Sequence, residues 1–493
     1  MLATAKRFTA SALLLSAACL TTPLHAAEGK ALLDKWLAQP QLSSVKMTWE
    51  TVAEQSSDSF TLNGVTITTQ RDYKVTVDTL TFEGLKELDD NRIVFDALSI
   101  SNASGTAPGQ GSWTMASLTA GNSDVPFADW AGGFKREMLT RRVKFGALNI
   151  AGVKSDAGDV GLTLQELSLS NADIPLDWRY GERANAEGDP AAPLTFQSFT
   201  VSGFEAGNKD GLVKLGGLDV KGANIPTSPS ADFDVWIRPV ETLEMSNLAF
   251  NAEQKDVVTM AGMTVVVEPT AADGTINSRS SITDVVVDLT TIPDPQARAQ
   301  MERLGYSEVR ASLAGSGSYN PETGRIVSDD LQLNVADMFD LAIAYAFSGY
   351  TKEVAQKINE ISAGGGGQVP PDQAFMAMLP ELSKIKVDAL KIALTDRSLT
   401  GKLLDLQAQQ MGTTGDQLAQ GAPLMIGMAM GSLGMPQFTE MVSQAVGKFL
   451  TEKGTLTVEA NPSQPVSVLD IISTSQSNPT QIPELLNAQV SAN

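Results

Sequence analysis

The residue types that could do covalent or metal chemistry are few in this chain, and their spacing is poor. Its single cysteine, Cys19, and single histidine, His25, both fall within the first 26 residues. Ser43 with Lys46, and Ser383 with Lys386, have the Ser-x-x-Lys spacing at which a lysine can activate a serine for acylation. Neither is accompanied by a Lys-Thr-Gly triplet, so both read as chance spacings. The neighbouring acids Asp89 with Asp90 and Asp329 with Asp330 could serve a hydrolase, which needs two carboxyls flanking one bond. Adjacent residues of a strand face opposite sides, which makes them poor pairs. No nucleophile elbow, phosphate loop, dinucleotide fingerprint or calcium loop occurs. The expectation is no catalytic residue, no cofactor and no metal, with a carboxylate-dependent hydrolase as a secondary reading.

Binding chemistry is better represented. Asp129 precedes Trp130, Asp177 precedes Trp178, and Asp234 lies two before Trp236. An aspartate beside an exposed indole can hold a sugar by hydrogen bonding and stacking, whereas the same indole turned inward packs its connector onto a sheet. Met425 and Met428 belong to a methionine-rich stretch with Met411, Met430, Met435 and Met441. Thioethers adapt to irregular apolar partners, so these residues suit ordinary core or a lid over a hydrophobic ligand. Trp130, Trp178, Trp236, Met425 and Met428 are the candidate ligand or partner contacts.

The elements that must carry these residues follow from a recurring apolar pattern. Large apolar residues stand at relative positions 0, 3 and 5, often with a small or apolar one at 8: Phe95, Leu98, Ile100; Phe145, Leu148, Ile150, Val153; Leu164, Leu167, Leu169, Ala172; Phe196, Phe199, Val201, Phe204; Leu215, Leu218, Val220, Ala223. Val77, Leu80, Phe82, Leu85 and Val240, Leu243, Met245, Leu248 extend the series, and Val387, Leu390, Ile392 echo it. The motifs pair about 20 residues apart, and the pairs recur about every 50 residues. The second members end in related phrases closing at Pro126, Pro175, Pro226 and Pro269. Polar, glycine-bearing breaks inside each pair read as turns, and Phe60 to Phe82 supplies a further hairpin. A proline suits a strand end because it cannot donate a ladder hydrogen bond. The step of three changes face in a period-two strand, so bulges, or cover on both faces, are expected. The rival architecture is a leucine-rich-repeat solenoid reading protein or glycan. It needs an even period and an asparagine-like residue at the ninth position, where Ala103, Ala172, Phe204, Ala223 and Leu248 stand instead.

Lys6 and Arg7, an apolar stretch from Phe8 to Leu20 and a break at Thr21, Thr22 and Pro23 read as a secretory signal over 1–26. The stretch is shorter than the about 20 residues of a membrane span. A retained inner-membrane anchor, or lipidation at Cys19, are the lesser readings; Ser16 stands where lipoprotein processing prefers a large aliphatic residue. Cleavage would discard Cys19 and His25 together, leaving no disulfide-linked partner and no imidazole chemistry. The formal charge of −21 disfavours nucleic acid and anionic lipid surfaces as partners.

The expected organisation is an N-terminal helix and β-hairpin repeat over 27–272, a β meander with helices over 273–363, and a Gly/Pro hinge at 364–371. A mostly helical region with short strands occupies 372–493. The fold class is α+β, mainly β: an elongated antiparallel hairpin meander followed by a mixed β and helical C-terminal region.

An opening helix at Lys30 to Leu37, short strands of the VDTLTFEGL (Val77 to Leu85) and FGALNIAGV (Phe145 to Val153) type, and a meander around Tyr319 to Tyr350 resemble the AsmA-like and YdgA-like bacterial envelope proteins. That resemblance implies a periplasmic, β-rich, non-enzymatic protein. Some such proteins offer an elongated apolar groove linked to phospholipid movement or outer-membrane assembly. AsmA-like proteins usually keep an N-terminal membrane helix, from which the short segment here departs. The functional expectation is an exported envelope protein presenting a β surface or groove to a lipid or an envelope protein.

Overall fold

A computed structural model describes Ala31, Leu33 and residues 45–69, 73–87, 92–107, 111–126, 142–157, 160–175, 193–208, 210–226, 237–364, 371–431 and 434–493. The expected signal segment, with Cys19 and His25, lies outside them, as do residues 365–370 of the expected hinge. The chain is mainly strand, arranged as antiparallel hairpins, with helices concentrated in the C-terminal region. It divides into two compact units, one ending at Met245 and taking in Ala252–Gln254, the other formed by Ser246–Asn251 and Lys255–Asn493.

The first unit contains β1 (Val45–Thr48), β2 (Thr51–Ser56), β3 (Ser59–Thr69), β4 (Lys74–Glu83), β5 (Lys86–Glu87), β6 (Arg92–Ala107), β7 (Gly111–Pro126), β8 (Arg142–Ala157), β9 (Val160–Pro175), β10 (Leu194–Gly207) and β11 (Gly211–Ile225). From β3 to β11 each main strand pairs antiparallel with the next, β5 being a short addition to β6. The antiparallel pairing departs from a leucine-rich-repeat horseshoe, whose stacked strands run parallel.

The registers turn the sequence pattern into straight rows across the strands. Leu62, Leu80, Ile100, Leu118, Ile150, Leu167, Val201 and Leu218 lie successively opposite one another. Phe60, Phe82, Leu98, Ala120, Leu148, Leu169, Phe199 and Val220 form a second apolar row two residues away on every strand. Between them, on the other face, runs Thr61, Thr81, Ser99, Thr119, Asn149, Ser168, Thr200 and Asp219. Positions 3 and 5 of the motif are thus one face and position 4 the other, as strand alternation requires.

The step of three from position 5 to position 8 is explained by a recurring backbone kink. Gly64, Gly84, Asn102, Asn122, Gly152, Asn171, Gly203 and Gly222 all have φ between 46° and 64°. Each stands two residues past the later of its strand's two row residues, at relative position 7 in the repeated motif. Glycine reaches this left-handed conformation freely, and asparagine more readily than other side chains. One left-handed residue turns the strand over, so position 8 rejoins the apolar face. Each kink faces the residue at relative position 1 of a neighbouring strand, Asn102 opposite Ala116 and Asn122 opposite Asp96, and the β6–β7 register stays constant from Arg92 opposite Pro126 to Ala107 opposite Gly111. At Gly152 the approach is close: a Cβ there would fall 2.7 Å from the Cβ of Ala116.

The second unit contains β13 (Lys255–Val267), β14 (Ile276–Asp288), β15 (Glu308–Asn320), β16 (Arg325–Val335), β17 (Phe339–Ser348), β18 (Lys386–Asp396), β19 (Thr455–Ala460), β20 (Val466–Ser467) and β21 (Ala488–Ala492); β12 (Thr242–Ala252) contributes to both units. Strands β13 to β19 form a meander, with β21 on β19 and β20 on β18. Its helices are α1 (Pro295–Arg303), α2 (Lys352–Gly364), α3 (Pro371–Leu382), α4 (Leu399–Met411), α5 (Gly415–Gly431), α6 (Pro436–Glu452), α7 (Val468–Ser477) and the single turn α8 (Ile482–Leu485). Asp294 caps α1, its carboxylate accepting from the backbone of Gln296 at 2.8 Å, with Pro295 as first helical residue. A small core of Leu289, Leu304, Tyr306, Val335 and Met338 sits where α1 and α4 meet the sheet. There Tyr306 shares a hydrogen bond with Ser398 at 3.0 Å and lies under the Lys402 ammonium, 3.5 Å from the ring centre.

Candidate functional site

The apolar face of the first unit changes character along the sheet. Through β7 it is closed: Leu62, Ile100 and Leu118 are at most 2 % exposed, and Leu33 joins the same cluster. From β8 onward the first row, Ile150, Leu167, Val201 and Leu218, is only partly buried. Phe145, Val153, Phe196, Phe199 and Phe204 around it are in the same state, although Leu148, Leu169 and Val220 remain buried. Phe196 and Phe199 pack with ring centres 5.9 Å apart and planes tilted by 59°. The strip from β8 to β11 thus presents hydrocarbon, with no charged side chain at any of the inward motif positions.

The opposite face cannot do the same work. Its hydroxyls pair with one another across the strands, Thr61 with Thr81 at 2.9 Å and Ser170 with Ser198 at 2.7 Å. Asn149 donates to Glu166 at 2.8 Å. A polar face satisfied in this way gives a solvated exterior and leaves recognition to the apolar side.

A second apolar surface lies on α5. Its interior face is made of small residues, Ala419 and Ala422 being buried. The facing side of α6 is small as well: Thr439, Ser443 and Gly447 recur every four residues, all buried. A Cβ on Gly447 would fall 2.4 Å from Cγ of Pro423. This close approach sends the large side chains outward, and Leu424, Met425 and Met428 are 69 %, 49 % and 67 % exposed. Met425 and Met428, equally suited to core by sequence, are therefore surface residues. Met441 follows the core expectation better, its sulfur accepting from the backbone N–H of Val490 at 3.1 Å. Phe375 and Met376 on α3 are exposed too.

The sequence-level chemical candidates do not assemble into a reactive centre. Ser383 donates its hydroxyl to the Pro380 carbonyl at 2.6 Å, while Lys386 is exposed on β18. Asp329 and Asp330 are both exposed beside a register shift in β16. Asp330 accepts from the backbone N–H and hydroxyl of Ser316 at 2.7 and 2.8 Å, and these two bonds, the backbone one foremost, hold its pKa below the ordinary aspartate value. Asp89, Asp90 and Ser43 lie outside the described residues, as do Trp130, Trp178 and Trp236. Among the described residues no group of three or more acidic, histidine or cysteine side chains is placed to hold a metal ion. No described helix is long and apolar enough to cross a membrane.

One feature escaped sequence reasoning. A cleft of 270 Å³ opens at the turn end of β7 to β11, over Gly161 and Gly207 and beside Lys154, Asp156 and Glu205. It depends on registers across several hairpins, which the sequence signals only through glycines at strand ends.

Comparison with known proteins adds one partial match. A family model described as an uncharacterized protein matches residues 332–493, from β16 through β21. No curated protein matches the chain in sequence.

Proposed function

We propose that this is an exported envelope protein whose first unit holds the hydrocarbon part of a lipid against the strip from β8 to β11. The observation that carries the reading is the unbroken apolar row from Leu62 to Leu218, buried through Leu118 and only partly covered from Ile150 onward. Folding alone favours covering such a row to its end, since each large apolar side chain withdrawn from water contributes about 1.5–3 kcal/mol. A face left half covered suits a ligand that completes the burial, and contiguous exposed apolar surface marks such sites.

The test is mass spectrometry of organic extracts from the natively purified full chain, with transfer of a labelled phospholipid between neutral vesicles as a second arm. Bound lipid that disappears in Val201→Asp, with folding retained, supports the reading. A clean absence of lipid together with no transfer overturns it. A protein partner is the second reading, favoured by the exposure of Leu424 and Met428; crosslinking from a photoreactive residue at 428 tests it, and an envelope with no crosslinked product rejects it.

A further inference from the structure

We propose that the outer face of α5 is a self-association surface, on which a second copy of this chain packs antiparallel about a two-fold axis. Gln417, Gly421, Leu424, Met428 and Gly431 run along the middle of this face. Steps of four and three alternate along them, the spacing at which one helix presents a straight seam to another. From Gly421 to Gly431 the seam reads small, large, large, small from either end. A two-fold contact uses the same patch on both copies, so a residue that meets a second must be met by it in return. With the axis midway between Leu424 and Met428, Leu424 of each copy meets Met428 of the other, and Gly421 meets Gly431.

The two glycines have no use within a single copy. Both are helical, where glycine is less stable than alanine. Neither adopts a left-handed backbone, and a Cβ on either would meet nothing within 4 Å among the described residues. Gly447 on α6 is the contrast, since Pro423 leaves it no room for a Cβ. A second helix backbone arriving at the outer face gives Gly421 and Gly431 the reason that Pro423 gives Gly447. Met411, at the end of α4 just ahead of α5, is exposed as well and extends the apolar surface.

Charge selects the occupant. Two copies of a chain of formal charge −21 repel over most approaches. No charged residue stands between Asp416 and Glu440, so the axis on α5 brings no like charges together. A membrane surface is a poorer fit, because helices that lie in a lipid interface are rich in Lys and Arg on their polar face, and α5 has neither residue. The proposal rests on a protein partner at α5 and is independent of the lipid on the first unit.

Sedimentation equilibrium of the full chain tests it. A reversible monomer–dimer equilibrium is expected, since a single helix face is a small contact beside the about 1,200–2,000 Å² of a standard interface. Leu424→Gln and Met428→Gln should each weaken the dimer about tenfold, the loss usual for a side chain at the centre of an interface. Gly421→Ala separates close approach from mere stickiness: it should raise the unfolding midpoint of the monomer, measured below the association range, yet weaken the dimer. In a Cys19→Ser background, Leu424→Cys mixed with Met428→Cys should form a mixed disulfide faster than either variant crosslinks with itself; faster self-crosslinking overturns the antiparallel register. A chain monomeric up to its solubility limit, a dimer unchanged by both glutamine variants, or one unchanged or strengthened by Gly421→Ala overturns the proposal. Monomers that float with phosphatidylcholine vesicles, and cease to do so in the glutamine variants, assign the face to a membrane instead. If a photoreactive residue at 428 crosslinks a different envelope protein while the purified chain stays monomeric, the second copy is rejected and the protein partner stands.

Discussion

Asn102 on β6 adopts a left-handed backbone and donates its side-chain amide to the carboxylate of Asp78 on β4, 2.9 Å away. The two residues sit where the kink of one strand meets the start of the next strand's motif, so the bond fixes the point at which both return to the apolar face. Asn102→Val places a β-branched residue in a conformation that disfavours it and removes the bond. The expected loss is about 1–3 kcal/mol, against a smaller loss for Asn102→Gly, which keeps the conformation and removes only the bond. Urea unfolding followed by tryptophan fluorescence checks the order. Equal losses would mean that the left-handed residue is not what sets the step of three.

The two ends of the apolar row should respond differently to truncation. Leu118 is 1 % exposed, and Leu118→Ala is expected to destabilise by about 2–5 kcal/mol, the range for leucine in a closed core. Leu218, at the half-covered end, should lose clearly less in the same assay. Comparable losses at both would make the row a continuous core and remove the basis for a lipid there.

Much of this was legible in the sequence because apolar spacing is a local signal. The hairpins β6–β7, β8–β9 and β10–β11 stand where the paired motifs and turn residues put them. The kink was written there as well: Asn102, Asn122 and Asn171, or Gly152, Gly203 and Gly222, occupy the position just before the one an asparagine ladder would use. What local patterning could not supply was cover. Ile100 and Ile150 carry the same motif rank, yet the first is buried and the second only partly so, a difference decided by neighbours far along the chain. The same holds on α5, where hydrophobicity suggested core for Met425 and Met428 but close packing of Ala422 and Pro423 on α6 turned them outward.

Ser316 and Asp330 give the second unit a defined pH response. A carboxylate held below its ordinary pKa contributes stability that is fully present above the unfolded value of about 3.9 and is lost as pH falls through the folded value. Asp330 is such a group, with the Ser316 backbone N–H as the larger cause and the hydroxyl as the smaller. Ser316→Ala removes only the hydroxyl. The Asp330 pKa, read from its carboxyl carbon by NMR, should therefore rise part of the way toward the ordinary value and no further. A full return would assign the effect to the hydroxyl alone.

Leu424 and Met428 allow packing and recognition to be separated on α5. Both point away from the helix face that meets α6, and surface changes away from buried features usually stay within about 0.5 kcal/mol. The double change Leu424→Gln with Met428→Gln should leave the unfolding midpoint essentially unmoved while lowering the binding of a hydrophobic dye to the folded chain. Ser443→Leu is the contrasting variant. Ser443 is 9 % exposed, and its Oγ lies 3.9 Å from where a Cβ on Gly427 would be, so a larger side chain must push the helices apart. Overpacking of this kind costs about 1–3 kcal/mol. If the glutamine pair proves as damaging as Ser443→Leu, the outer face of α5 is covered in the native molecule; if it is silent on stability, the face is free to meet a partner.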